Sequence, residues 1–81
     1  MPLQIRLVTG IHCHLCEQAK AILQPLLSAR QMQLLELNIE DDPAVAELYG
    51  LRIPVVLFPD GSEKGWPFTS AQIARMLNQL G

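Results

Sequence analysis

His12, Cys13, His14 and Cys16 crowd the reactive side chains of this 81-residue chain into one short stretch, and Cys13 and Cys16 are its only two cysteines. A bridge across so short a loop removes little entropy from the unfolded chain, and two cysteines fall short of the frameworks that staple small secreted proteins. The spacing points instead to reactive or metal-binding sulfur. Residues three apart at the start of a helix come within the range a disulfide tolerates, so the pair can open and close without large backbone motion. A helix start also presents unpaired amides and the positive end of the dipole, which favour a thiolate. A fall of about two units from roughly 8.5 would raise the thiolate share at neutral pH from about 3% to about three quarters. Cys13 is therefore the expected nucleophile. Cys16, deeper and beside Leu15, is expected to stay protonated and act as the resolving thiol.

His14, between the cysteines, and His12, just before them, are candidate tuners of the thiol, because a nearby imidazolium lowers a cysteine pKa. The alternative for both is an exposed loop or cap position. All four residues are acceptable zinc ligands, yet neighbours on one turn converge poorly on a tetrahedron and no second ligand pair lies downstream. No metal is expected. Glu17, following Cys16, is taken as a partner of the helix dipole and not as a catalytic group.

The elements that must position this stretch follow from periodicity. Leu3 to Thr9 alternates apolar and polar residues as a strand does, and Gly10 closes it. From His14 to Ala29, the residues Ala19, Ile22, Leu23, Leu26 and Leu27 form one helical stripe, with Pro25 expected to kink the helix near Ala21 or end it early. Gln33 to Ile39 returns to strand spacing, with Leu35, Leu37 and Ile39 assigned to one face, and Leu35 and Leu37, with Leu3, Ile5 and Leu7, assigned to the core. Asp42 and Pro43 mark the start of a short helix to Tyr49, and Gly50 its end. Glu40, Asp41 and Asp42 are expected to be solvated partners of that helix start. Val55 to Phe58, the turn at Pro59-Asp60-Gly61 and Ser62 to Trp66 predict an antiparallel hairpin. Thr69 with Gln72 forms a capping-box pattern ahead of Ile73, Met76, Leu77 and Leu80. Trp66, Phe68 and Tyr49 are expected to fill the small core.

The order is βαβ, short α, ββα. It predicts an α/β fold with a four-stranded mixed sheet and helices on both faces, formed by residues 1–81 as a single domain. With 49% hydrophobic residues, 17% charged and a net charge of −2, the composition fits neither disorder nor a polyanion binder. Nucleic acid and membrane are therefore not expected partners, and a cytoplasmic monomer is expected.

The Cys13-His14-Leu15-Cys16 pattern, joined by Ile53-Pro54 just ahead of the third strand, resembles the glutaredoxin-like proteins of the thioredoxin-fold superfamily over about Leu3 to Leu80. In that superfamily the proline matching Pro54 is cis and faces the dithiol. The resemblance implies the same for Ile53-Pro54, leaving the main chain of Ile53 open to an extended disulfide substrate. It implies a thiol–disulfide oxidoreductase working through a mixed disulfide with a protein or small molecule, with no tightly bound cofactor. Glutathione is a candidate co-substrate, its carboxylates directed to Arg52 and to the amides near Thr69 and Ser70. Where glutathione-using glutaredoxins carry a Gly-Gly pair, this chain has Gly65-Trp66-Pro67-Phe68-Thr69-Ser70. The competing functions are a binding module that keeps the fold without catalysis, and an iron–sulfur or other metal-binding protein that uses Cys13.

Overall fold

The structure, a computed structural model, describes residues 3–80. Four strands and three helices run in the order β1 (Gln4–Thr9), α1 (His14–Ala29), β2 (Gln33–Asn38), α2 (Pro43–Tyr49), β3 (Val55–Leu57), β4 (Glu63–Gly65) and α3 (Ser70–Asn78). In space the strands lie β2-β1-β3-β4. β1 and β2 are parallel, as a strand–helix–strand crossover requires, while β3 runs antiparallel to both β1 and β4. The sheet is mixed.

One face of the sheet carries the main core. Ile5 and Leu7 of β1, Val56 of β3 and the adjoining Phe58 pack against Ala19, Leu23 and Leu27 of α1 and against Ile73 and Leu77 of α3. Phe68 completes that cluster, and the half-buried Trp66 meets it edge to face, with ring centroids 5.0 Å apart. Two of the three aromatics assigned to the core therefore serve there. Tyr49 is only half-buried and turns its hydroxyl outward to donate to the Glu63 carboxylate, a bond that raises the tyrosine pKa. Glu63 stands cross-strand from Leu57, on the face away from α1 and α3, so this bond places the end of α2 over the second face. Helices thus lie on both faces.

The assignment of β2 is corrected. The register pairs Ile5 with Leu34 and Leu7 with Glu36, so Leu34 is the leucine that packs against the main core. Leu35 and Leu37 point to the second face with Arg6 and Val8, and Leu35 is 42% exposed. A one-residue change of register exchanges the faces of a strand, and adjacent leucines at 34 and 35 make both registers apolar in sequence.

Helix ends follow the sequence closely. Asp42 caps α2 by accepting from the amides of Ala44 and Val45 at 3.0 and 3.3 Å. At α3 the Thr69 hydroxyl accepts from the Gln72 amide at 3.2 Å, and the Gln72 side chain accepts from the Thr69 amide at 2.9 Å. α1 runs through Pro25 as a single element, so of the two outcomes expected there, a kink near Ala21 or an early end, the early end does not occur. The proline removes one donor, and both Pro25 and Ala21, whose carbonyl loses that bond, are on the exposed side where water substitutes.

The two leucine environments can be compared directly by denaturant unfolding. Leu23→Ala, which empties a fully buried site, is expected to cost about 3 kcal/mol, whereas Leu35→Ala, on the half-open second face, is expected to cost less than about 1 kcal/mol. Equal losses would restore Leu35 to the core.

Candidate active site

β1 ends at Thr9 and α1 begins at His14, so the four residues between them form a short loop at the end of β1, one of the two central strands of the sheet. Cys13 is the N-cap of α1. Its backbone is extended (φ −93°, ψ 99°), and its sulfur accepts a hydrogen bond from the Cys16 amide at 3.1 Å. A serine or aspartate oxygen usually fills this place, satisfying one of the amides a helix start leaves unpaired. Here sulfur does so.

Cys13 and Cys16 form a disulfide with Cα atoms 5.1 Å apart, well inside the usual range. The two sulfurs differ in access. Cys13 is half-buried and opens onto a shallow cleft of about 480 Å³ lined with Gly10, His12, His14 and Glu17. Cys16 is 1% exposed. The outer sulfur can thus be reached by a second molecule, and the inner one only by its neighbour.

Both histidines line the cleft beside Cys13, and both are exposed. His12 has a left-handed backbone (φ 57°), unusual for a residue with a side chain and a feature that turns the chain from β1 into α1. Glu17, expected from sequence only as a partner of the helix dipole, also borders the cleft. Its carboxylate pairs with Lys20 at 3.1 Å, and Lys20 reaches Glu36 of β2 at 3.2 Å. The two carboxylates, Glu17 foremost, raise the Lys20 pKa through hydrogen bonds.

Ile53 and Pro54 approach the same loop from the β3 side. The Ile53–Pro54 bond is cis, as is Trp66–Pro67, and Pro54 is buried. A Cβ placed on Gly10 would lie 2.8 Å from the Ile53 Cδ1, so the absence of a side chain at position 10 is what lets Ile53 lie against the dithiol loop. In the sequence Gly10 marks only the end of a strand. No local pattern marks it, because its partner is 43 positions away.

Two of the three remaining candidates have partners of their own. The Arg52 guanidinium lies 5.2 Å from the centre of the Tyr49 ring and donates to the Leu48 carbonyl at 3.1 Å, holding the end of α2. The Thr69 amide is taken by Gln72. Ser70 is exposed as the first residue of α3. Among the described residues, no group of three or more His, Cys, Asp or Glu side chains is placed to hold a metal ion. No helix among them is long and apolar enough to cross a membrane.

Residues 4–78 match the profile of a family described as Glutaredoxin-like domain (DUF836). Among solved structures, a structural-genomics target protein, XcR50 from X. campestris, is 36% identical. The match covers 93% of this chain and 96% of that one with a TM-score of 0.77. Protein Ne2328 from Nitrosomonas europaea is 26% identical over 94% of this chain and 92% of its own, with a TM-score of 0.76. A structure described as a malarial protein shares the fold at 10% identity, with a TM-score of 0.75 over 98% of this chain and 97% of that one. No curated protein matches the chain.

The Gly10–Ile53 contact yields a double-mutant prediction. Gly10→Ala alone is expected to cost about 1 kcal/mol in denaturant unfolding, because the new methyl meets the isoleucine tip. Ile53→Val removes that tip, so in its presence Gly10→Ala should cost at least about 0.5 kcal/mol less. Strict additivity would mean that the two residues do not press on each other.

Proposed function

Because the chain belongs to the glutaredoxin-like domain family, we propose that it is a thiol–disulfide oxidoreductase that reduces disulfides through the Cys13–Cys16 couple. The observation that carries this reading is the asymmetry of the two sulfurs. The accessible one receives an amide hydrogen bond at a helix start, and the inaccessible one sits within bonding distance behind it.

The reaction begins with the dithiol. The Cys16 amide and the positive end of α1 stabilise charge on Cys13, which attacks one sulfur of a substrate disulfide. A Cys13–substrate disulfide forms and the other substrate sulfur leaves as a thiolate. Cys16 then loses its proton and attacks the Cys13 sulfur, closing the internal disulfide and releasing the second substrate thiolate. Two electrons pass from the dithiol to the substrate, and both released thiolates take protons from solvent. His12 and His14 favour the anionic form of Cys13 whenever either ring is protonated, since both line its cleft. Regeneration needs a thiol reductant, and glutathione is the proposed one.

The proposed substrate is a disulfide within an extended polypeptide, laid along Ile53 and Pro54 as an added strand. Ile11 and Leu15, 58% and 42% exposed, flank the dithiol and offer apolar contact to such a chain. Of the groups proposed for a glutathione carboxylate, the Thr69 amide is already bonded to Gln72, whereas the exposed Arg52 guanidinium donates once, to the Leu48 carbonyl, and keeps its other donors. Ser70 remains free for that role.

Turnover on an unfolded, disulfide-bonded protein tests the proposal. Cys13→Ser is expected to lose activity by at least about a thousandfold, while Cys16→Ser should accumulate a mixed disulfide visible by mass spectrometry. If wild type leaves both protein and glutathione disulfides intact, the catalytic reading fails in favour of a binding module. Separately, the pH dependence of Cys13 alkylation should place its pKa below the ordinary thiol range, and His14→Ala should raise it. An unchanged midpoint removes His14 from the chemistry.

A further inference from the structure

A carboxylate stands beside the sulfur that must carry negative charge. Glu17 lies one turn beyond Cys13 on α1, donates its amide to the Cys13 carbonyl at 3.3 Å, and lines the same cleft. Side chains on a helix lean toward its N-terminus, so the Glu17 carboxylate left to itself leans toward the end where Cys13 sits. A negative charge there opposes the thiolate that the helix start favours.

Lys20 draws that carboxylate the other way. Its ammonium lies three residues further along α1, 3.1 Å from Glu17, and 3.2 Å from Glu36 of β2. Glu36 is cross-strand from Leu7, on the face that α1 covers, so Lys20 is held from a second element. The Lys20 side chain is 21% exposed, against 69% for Glu17 and 47% for Glu36. The cation is thus the restrained member of the group, and Glu17 is the one released if the cation is lost. Pairs this open to water add little stability, so what the group determines is where charge lies.

Other charged groups near the dithiol do not duplicate Lys20. His12 and His14 line the cleft and carry charge only when protonated. Arg52, next to Ile53, is exposed and donates to the Leu48 carbonyl. Glu40, Asp41 and Asp42 follow Ile39 beyond the end of β2 and are exposed. None of these pairs with Glu17 among the described residues.

We infer that Lys20 is a positioning residue for the dithiol: held by Glu36, it draws the Glu17 carboxylate off the Cys13 sulfur and offsets its charge, so that the attacking thiolate forms more readily. The inference rests on the reading of Cys13 as the attacking thiol. Lys20 takes no part in the bonds that form and break. It acts through Glu17, whose charge borders the cleft that a substrate disulfide must enter.

Alkylation of the reduced full chain with iodoacetamide tests the inference, since Cys16 is buried and the rate at Cys13 against pH gives its thiolate midpoint. At about 10 mM salt, Lys20→Met should raise that midpoint by about 0.3 of a pH unit, a roughly twofold fall in the ratio of thiolate to thiol. Lys20→Arg, which keeps the charge, should leave it in place. With Glu17→Gln also present, Lys20→Met should raise the midpoint less than half as far, and about 1 M salt should remove most of the rise in either background. Lys20→Gln serves the same purpose should Lys20→Met fail to fold. An unchanged midpoint overturns the inference. So does a rise equally large with Glu17→Gln, or one that salt leaves intact. Alkylation consumes no disulfide, so the midpoints decide this inference whatever the turnover assay returns for the catalytic reading.

Discussion

A helix start leaves backbone amides without partners inside the helix, and in this protein one of them is satisfied by sulfur. The Cys16 amide donates to Cys13 Sγ at 3.1 Å, so a single hydrogen bond caps α1 and falls on the sulfur proposed to carry the charge. The same turn holds the second cysteine behind the first. Capping, anion stabilisation and disulfide closure thus depend on one backbone geometry at the junction of β1 and α1.

The rest of the fold keeps that junction in place. α1 is held through Ala19, Leu23 and Leu27 against Ile5 and Leu7 of the strand that leads into it, so the two elements flanking the dithiol share one core. β3, paired to β1, brings Ile53 and Pro54 to the loop, where Gly10 leaves space for the isoleucine. A third connection runs from Glu17 through Lys20 to Glu36, joining the first turn of α1 to the outer strand. Exposed ion pairs of this kind add little stability, and this one bears instead on which charges border the cleft.

The two faces of the sheet are built unequally. α1 and α3 bury the centre of the first, whereas α2 contributes no fully buried residue. The bond from Tyr49 to Glu63 and the stacking of Arg52 on Tyr49 hold the end of α2. Arg52 remains exposed, and a guanidinium that donates once to a helix carbonyl keeps its charge and its other donors.

Much of this was legible in the residues because it rests on local physics. The spacing of Cys13 and Cys16, the stripe of α1, the caps at Asp42 and Thr69, and the Pro-Asp-Gly turn are all short-range patterns, and each element formed where those patterns place it. Contacts between distant segments carry no such mark. Nothing within β2 distinguishes Leu34 from Leu35 as the buried residue until pairing with β1 sets the register. Gly10 gains its importance only when Ile53 arrives beside it with the neighbouring strand, and Arg52 meets the Tyr49 ring only when the end of α2 has formed. The sequence by itself determined which elements form and which atoms can react, since both follow from side-chain type and spacing. Tertiary structure alone decided which face each leucine serves and which charges remain available, because those depend on neighbours that the chain brings together only by folding.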